Sequence, residues 1–151
     1  MNKGWLRVAA LGSRSRLSRV YETKPMYVAK QPLFLNAVGE VYASLTPEAM
    51  LEQLHLIEQE MGRNREREIR NGPRTLDLDL LVCDSLVRDT RDLILPHPRI
   101  TERRFVLIPL LELDPSLVDP RTGIAYSTSL ATLADSEGAE GTRGVYLYHA
   151  R

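Results

Sequence analysis

The chain has 151 residues, of which 43% are hydrophobic and 26% are charged. These proportions are those of a globular protein and exclude a disordered chain, and the length predicts one domain over residues 1–151. Lys and Arg number 20 and Asp and Glu number 20, so the formal net charge is zero and no overall field attracts nucleic acid or an acidic membrane.

The beginning of the chain, residues 1–13, has an apolar patch that is short and is interrupted by Arg7, so it does not predict a signal peptide. No later stretch approaches a membrane span. The single cysteine, Cys83, cannot form an internal disulfide and therefore favours a reducing compartment. We expect a soluble cytoplasmic protein with neither a membrane nor a nucleic acid as its partner.

Two strands and a helix are predicted in the first half of the chain. Apolar and polar residues alternate over residues 16–23, and a second run of strand-forming residues covers residues 33–42. Asn36 lies in that second run and needs a hydrogen-bond partner if it is buried. A helix is predicted from Thr46, an N-cap residue followed by a proline, to Gly62, which ends the apolar periodicity.

The next stretch, residues 63–74, is polar and carries arginines at positions 63, 65, 67, 70 and 74. One interpretation is a solvated loop in which Glu66 and Glu68 balance the charge. Another is a mobile loop that closes over a polyphosphate. The two interpretations are compatible, because a mobile arginine loop suits an anionic ligand.

A strand predicted over residues 76–82 carries Asp77 and Asp79 in an apolar run. Successive side chains of a strand point to opposite faces, so both aspartates point one way and the neighbouring leucines point the other way. Two converging carboxylates suit magnesium, which completes its octahedron with water and substrate phosphates. The alternative is an edge strand whose aspartates face solvent and bind nothing; the surrounding motifs favour the metal site.

The second half of the chain predicts a strand around residues 93–95 and a helix over residues 100–113, followed by an apolar segment at 130–133 and a strand-like run at 145–148. Arg67 and Arg104 are expected to be solvated surface charges. The segment after Pro120 receives no role. Strands and helices mix without a regular strand-helix-strand alternation, which predicts the α+β class.

Six motifs occur together, namely Tyr21-Glu22-Thr23, Phe34-Leu35-Asn36, Gly62-Arg63-x-Arg65, Gly72-Pro73-Arg74-Thr75-Leu76-Asp77-Leu78-Asp79, Leu95-Pro96-His97-Pro98 and Arg103-x-Phe105. The set closely resembles the 6-hydroxymethyl-7,8-dihydropterin pyrophosphokinase family, from about residue 16 to residue 120. The resemblance implies a ferredoxin-like α+β fold with helices packed on the sheet. It also implies transfer of pyrophosphate from ATP to the hydroxymethyl group of a reduced pterin, with release of AMP and the help of two magnesium ions.

The resemblance also implies roles for individual residues. Asp77 and Asp79 are expected to hold both metals and, with Arg63 and Arg74, to form the catalytic centre. The expected ATP contacts are Glu58, Arg63, Arg65, Arg70, Arg74, Leu80, His97 and Arg103. The expected pterin contacts are Thr23, Lys24, Pro25, Met26, Phe34, Asn36 and Phe105. Two alternatives stay open: both phenylalanines could be core residues, and His97 could be a structural histidine.

The family normally begins with a strand ending in Leu-Gly-Ser-Asn and a long helix, and this sequence departs from that pattern. Either residues 10–13 end that strand, or residues 5–11 are the tail of the first helix with Gly12 as its C-cap; the second interpretation keeps the remaining topology. An incomplete first strand and helix favours self-association of an otherwise monomeric protein. It also leaves open a truncated, non-catalytic relative that binds ATP, pterin or a partner chain without turnover.

Overall fold

The computed structural model describes residues 2–23, 34–62, 76–136 and 145–147. It divides into two compact units, one made of Met1–Arg16, Pro25–Pro32 and Gly39–Leu80, the other of Leu17–Lys24, Leu33–Val38 and Leu81–Arg151. In chain order the elements are α1 (Asn2–Ala9), β1 (Arg14–Leu17), β2 (Tyr21–Thr23), β3 (Phe34–Asn36), β4 (Gly39–Tyr42), α2 (Pro47–Glu60), β5 (Arg88–Asp89), β6 (Ile94–Leu95), a 3-10 turn (Ile100–Glu102), α3 (Arg104–Leu113), α4 (Tyr126–Ser136) and β7 (Val145–Leu147).

The first unit is built on the two helices α1 and α2. Its core consists of Val8 from α1 and of Leu54 and Ile57 from α2, all at most 9% exposed. Partly buried side chains surround this core, namely Trp5, Leu11, Val41, Met50, Met61, Leu76, Leu78 and Leu80. Removal of this apolar surface from water stabilises the packing of the two helices.

Helix α2 begins and ends as the sequence predicts. Thr46 accepts a hydrogen bond from the Ala49 amide at 3.1 Å, which satisfies one of the free amides of the first turn, and Pro47 occupies the first helical position. Gly62 follows the last residues of the helix with a φ of +93° and donates its amide to the Gln59 carbonyl at 3.1 Å. A left-handed glycine in this place is the usual way to end a helix.

The first residues form a helix, as one of the two interpretations of the sequence predicts, but Gly12 is not its C-cap. Its φ lies outside the left-handed region that a C-cap glycine adopts. Gly12 is needed for space instead, because a β-carbon there would meet the backbone carbonyl of Tyr42 in β4. The Ser13 amide donates to the same carbonyl at 2.9 Å.

Each of the two long strands predicted in the first half of the chain is broken in the middle. Ser18, only 5% exposed, lies in the break between β1 and β2, and Val38 lies in the break between β3 and β4. The Ser18 amide donates to the Val38 carbonyl at 2.9 Å, while the Val38 amide donates to the Ser18 hydroxyl at 2.9 Å. That hydroxyl donates in turn to the Arg19 carbonyl at 2.8 Å. The Ser18 hydroxyl therefore accepts the Val38 amide in place of a backbone carbonyl, and the two strands are interrupted opposite each other.

The second unit contains an antiparallel sheet in the order β3-β2-β7. Tyr21 of β2 lies opposite Asn36 of β3 on one side and opposite Leu147 of β7 on the other. The core of this unit consists of Val38, Ile100, Leu107, Leu110 and Tyr126. The segment after Pro120 thus contributes Tyr126 to the core and β7 to the sheet.

The helix predicted over residues 100–113 is present, divided at Arg103 into the 3-10 turn and α3. The expectation that Arg104 is a solvated surface charge is wrong, because this residue is only 5% exposed. Arg104 precedes the fully buried Leu107 by three residues, and residues at that spacing share one face of a helix. Arg67, the other expected surface charge, lies outside the described residues.

Four α-helices and small antiparallel sheets in the described ranges confirm the α+β class. The ferredoxin-like arrangement stays a prediction. Among the helices that the structure describes, none is long and apolar enough to cross a membrane.

Candidate functional site

The two aspartates of the predicted metal site lie on one side of the segment 76–80. Asp77 and Asp79 are exposed, whereas Leu76, Leu78 and Leu80 are half-buried and pack on the core of the first unit. Leu76 lies against α1, since a β-carbon at Gly4 would come within 2.6 Å of its Cδ2 atom. The predicted alternation of faces is confirmed.

The predicted strand over residues 76–82 is wrong, because this stretch is not assigned to a strand in the described part of the chain. A strand needs a hydrogen-bonded neighbour, and the sheets that the structure describes do not include this segment. The alternation comes instead from the leucines, which are drawn into the apolar core while the charged carboxylates stay in water. Packing of the leucines presents the aspartate pair on one side of the segment.

The donor set fits magnesium. Magnesium in proteins is bound through one or two carboxylates, and the remaining ligands are water and substrate phosphates. Asp77 and Asp79 offer this kind of set, and the described residues contain no group of three or more His, Cys, Asp or Glu side chains that could enclose a metal. The arrangement therefore suits an ion shared with a phosphate ligand more than an ion enclosed by protein.

Two further residues expected at the nucleotide lie in the first unit. Glu58 is only 2% exposed and follows Leu54 by four residues, on the buried side of α2. Leu80 packs on the cluster that contains Leu54 and Ile57. The first unit thus contains the aspartate pair, Leu80 and the buried carboxylate of Glu58.

The residues expected to bind the pterin include a hydrogen-bonded pair on β2 and β3. Asn36 donates its side-chain amide to the Thr23 hydroxyl at 2.8 Å, which supplies the partner that a partly buried amide needs. Thr23 lies opposite Phe34 in the register of the two strands. Phe34 is 40% exposed, so it is not a core aromatic.

Phe105, also expected at the pterin, lies in the first turn of α3. It is partly buried, and the Arg103 guanidinium lies 5.6 Å from the centroid of its ring. The guanidinium is attracted by the face of the ring, and this attraction orients the Arg103 side chain. An expected ATP contact and an expected pterin contact are therefore adjacent.

His97 follows β6 and makes two hydrogen bonds within the second unit, in keeping with the alternative of a structural histidine. Its amide donates to the Leu81 carbonyl at 2.8 Å, and its Nδ1 atom accepts from the Arg99 amide at 3.2 Å. A neutral imidazole in this arrangement carries its proton on Nε2. The preceding hairpin is held by Arg121, whose guanidinium donates to the carbonyls of Arg88 at 3.0 Å and of Leu95 at 3.1 Å.

A third group of residues, which sequence reasoning missed, joins β2 to α3. Glu112 in the last turn of α3 accepts hydrogen bonds from the Tyr21 hydroxyl at 2.8 Å and from the Arg19 side chain and amide at 2.9 and 3.1 Å. Burial raises the pKa of the Glu112 carboxyl, but these hydrogen bonds outweigh burial and the pKa lies below its ordinary value. No local pattern points to this group, because 91 residues separate Tyr21 from Glu112.

Several expected site residues lie outside the described residues. They are Lys24, Pro25 and Met26 of the pterin loop and Arg63, Arg65, Arg70 and Arg74 of the arginine loop. Their assignments stay predictions.

Comparison with known proteins gives a consistent set of matches. The model of the 7,8-dihydro-6-hydroxymethylpterin-pyrophosphokinase family matches residues 3–115. The "Folic acid synthesis protein fol1" of Pneumocystis carinii is 43% identical over 122 residues, which cover 81% of this chain and 16% of that protein. The "2-amino-4-hydroxy-6-hydroxymethyldihydropteridine pyrophosphokinase" of Bacillus subtilis is 46% identical over 99 residues, 66% of this chain and 58% of that protein.

A third relative is the "Folate synthesis bifunctional protein, mitochondrial" of Arabidopsis thaliana, 45% identical over 117 residues, which cover 78% of this chain and 21% of that protein. The chain thus spans between 16% and 58% of the length of these three relatives.

Proposed function

Because the chain belongs to the 7,8-dihydro-6-hydroxymethylpterin-pyrophosphokinase family, we propose that it transfers pyrophosphate from ATP to 6-hydroxymethyl-7,8-dihydropterin and releases AMP. The observation that carries this proposal is the exposure of Asp77 and Asp79 on one side of a segment whose leucines are packed in the core. A pair of carboxylates held in this way suits a magnesium ion that also contacts ATP. The relative from Bacillus subtilis carries the name of this enzyme, which supports the same reaction.

In the proposed reaction the pterin hydroxyl oxygen forms a bond to the β-phosphorus of ATP. The bond from that phosphorus to the oxygen bridging the α-phosphate breaks, so AMP leaves with the bonding electrons and the hydroxyl proton passes to solvent. Asp77 and Asp79 would hold two magnesium ions, which neutralise phosphate charge and lower the pKa of the attacking hydroxyl when bound. Alignment and charge neutralisation are the main demands of such a transfer.

The arginines at 63, 65, 70 and 74 are proposed to contact the triphosphate, together with His97 and Arg103. Guanidinium groups bind phosphate oxygens through paired hydrogen bonds, which fixes both charge and orientation. The position of Arg103 directly before α3, where its guanidinium lies over the ring of Phe105, supports its part in this assignment. Glu58 and Leu80 are proposed on the nucleotide side.

The pterin is proposed to lie against Phe34 and Phe105 and to be hydrogen-bonded by Asn36. A flat heterocycle with amide-like edges needs aromatic faces and a fixed amide partner. The Asn36 amide is fixed by its hydrogen bond to Thr23, and the 40% exposure of Phe34 leaves part of its ring accessible to a ligand.

The proposed activity is tested by incubating the protein with ATP, magnesium chloride and 6-hydroxymethyl-7,8-dihydropterin and measuring AMP. We expect AMP in proportion to the pterin consumed, and background AMP when pterin or magnesium is omitted. Binding of a non-hydrolysable ATP analogue by calorimetry without any AMP formation would instead favour the non-catalytic relative.

Substitution of the aspartates tests the proposed metal site. Asp77→Asn and Asp79→Asn each keep the size of the side chain but remove a charged ligand, so we expect turnover to fall by at least about 100-fold. Both side chains are exposed, so the thermal unfolding midpoint should stay close to that of the unsubstituted protein. Asp92→Asn, at another exposed position, serves as the matched control and should keep full turnover. Unchanged turnover in Asp79→Asn would remove this residue from the metal site.

A further inference from the structure

In the second unit, the Glu112 carboxylate of α3 accepts hydrogen bonds from Tyr21 of β2 and from Arg19, which precedes this strand. Both oxygens of Glu112 are used: Oε2 accepts from the Tyr21 hydroxyl, and Oε1 accepts from both the side chain and the amide of Arg19. Tyr21 is 7% exposed and the Glu112 side chain is 24% exposed, whereas the Arg19 side chain is 63% exposed, so the contact of Tyr21 with Glu112 is the more buried part of the group. We propose that Glu112 is a positioning residue for pterin binding, an inference that rests on the proposed function.

The elements that Glu112 joins are those that carry the proposed pterin contacts. Strand β2 continues from Tyr21 to Thr23, whose hydroxyl accepts the side-chain amide of Asn36. Helix α3 carries Phe105 in its first turn and Glu112 in its last turn. Glu112 therefore fixes the helix that presents the aromatic ring to the strand that presents the amide partner.

The length of α3 amplifies any loss of this anchor. Seven residues separate Phe105 from Glu112, about 10 Å at 1.5 Å per residue. A tilt of about 5° at the anchored end displaces Phe105 by about 1 Å, and a misplacement of that size costs up to about 100-fold in rate. The ring need not contact Glu112 for its position to depend on it.

A carboxylate at position 112 suits this task better than a neutral group. It accepts three hydrogen bonds at once, one of them from a guanidinium, and charged acceptors give the shorter and stronger bonds. The lowered pKa of the Glu112 carboxyl is consistent with an ionised group throughout the neutral range. An amide in its place keeps one acceptor oxygen and turns a donor toward the Tyr21 hydroxyl or the Arg19 side chain.

Nucleotide binding supplies an internal comparison. Asp77 and Asp79 are held by the packing of Leu76, Leu78 and Leu80 on the core of the first unit, whereas β2 and α3 belong to the second unit. Among the proposed ATP contacts Arg103 adjoins α3, whereas Asp77 and Asp79 do not, so loss of the Glu112 anchor should change the response to pterin more than the response to ATP. A residue that served only global stability would change both responses together.

The test uses Glu112→Gln and Tyr21→Phe, with Glu60→Gln as the matched control. Glu60 also forms an ion pair with an arginine, Arg7, and loses the same charge, but it lies on α2 in the first unit. From initial rates we expect the KM for pterin to rise about tenfold in the two test variants, and the KM for ATP to rise by no more than about threefold, through displacement of Arg103. Thermal unfolding shows that each variant is folded at the assay temperature, and Tyr21→Phe carries the test if Glu112→Gln does not fold. Equal changes in both KM values, or none, would overturn the inference.

A second measurement separates this inference from the proposed activity. In protein without ligands, the NMR signals of the Phe105 ring and of the Asn36 side-chain amide should shift in the two test variants and stay in place in Glu60→Gln. If the unsubstituted protein forms no AMP while these signals shift, the proposed reaction fails and the positioning by Glu112 stands. If AMP forms and the signals do not shift, the inference fails and the reaction stands.

Discussion

Two buried tyrosines of the second unit, Tyr21 and Tyr126, differ in the hydrogen bonding of their hydroxyl groups. The Tyr21 hydroxyl donates to Glu112 at 2.8 Å. The Tyr126 hydroxyl is buried and has no hydrogen-bond partner among the residues that the structure describes. Burial, assisted by Asp119 and opposed by Arg121, raises the pKa of Tyr126 to about 12. The same substitution at the two positions therefore removes different interactions.

We expect Tyr21→Phe to lower the free energy of unfolding by about 1–2 kcal/mol, because it removes a hydrogen bond to a charged acceptor. Tyr126→Phe should change it by less than about 0.5 kcal/mol at pH 7, or raise it, because it removes a buried polar atom that gains no hydrogen bond from the described residues. Urea unfolding of the two variants provides the measurement. An equal loss at both positions would show that the Tyr126 hydroxyl has a partner.

At the scale of elements, two glycines limit the first unit for different reasons. Gly12 has an ordinary φ but no room for a β-carbon beside Tyr42. A β-carbon at Gly62 would have no described atom within 4 Å, but the φ of +93° is one that residues other than glycine and asparagine rarely adopt. One position depends on packing and the other on backbone conformation.

Paired substitutions separate these two causes. Gly12→Ala should lower the free energy of unfolding by about 1–3 kcal/mol through overpacking, and Gly62→Ala by about 1 kcal/mol through backbone strain. Asparagine tolerates the left-handed region, so Gly62→Asn should recover most of that loss, whereas Gly12→Asn should not improve on Gly12→Ala. Chemical denaturation of the four variants measures the differences. Recovery by Gly12→Asn would contradict the packing explanation.

Local signals predicted the elements that depend on local interactions. Thr46, Pro47 and Gly62 mark the ends of α2 because caps act within one helical turn. The alternation around Asp77 was also predictable, since it reflects only which side chains leave water. The breaks at Ser18 and Val38 were not, because both run through strand-forming sequence and arise from hydrogen bonds between residues 20 positions apart.

The residues of the candidate site likewise divide into those that the sequence predicts and those that it does not. The aspartate pair and the pairing of Asn36 with a polar partner follow from residue type and spacing. The burial of Arg104 and the contact of Tyr21 with Glu112 depend on how α3 packs, which no short pattern encodes. Residues that act directly on a ligand are therefore easier to predict than residues that hold others in place.

For the whole molecule, the raised pKa of Tyr126 predicts a loss of stability in alkaline solution. The pKa is about 12 in the folded protein and about 10 in the unfolded chain, so the folded state binds the proton more tightly. The associated stabilisation is complete below pH 10 and is lost as the pH rises from 10 to 12, up to about 2–3 kcal/mol. Free energies of unfolding at pH 8–12 should fall more steeply for the unsubstituted protein than for Tyr126→Phe. Parallel curves would contradict this assignment.

The position of β2 between β3 and β7 has a consequence for the time course of folding. Its partner β3 is close along the chain, with Tyr21 opposite Asn36, so this pairing resembles a hairpin and closes a short loop. Its other partner is distant, with Tyr21 opposite Leu147, and closure of so long a loop is entropically costly and slow. During synthesis one edge of β2 stays open until residue 147 has left the ribosome, and an open edge is where strands of other molecules pair. The interval between these two pairings is therefore when the nascent chain is most exposed to aggregation.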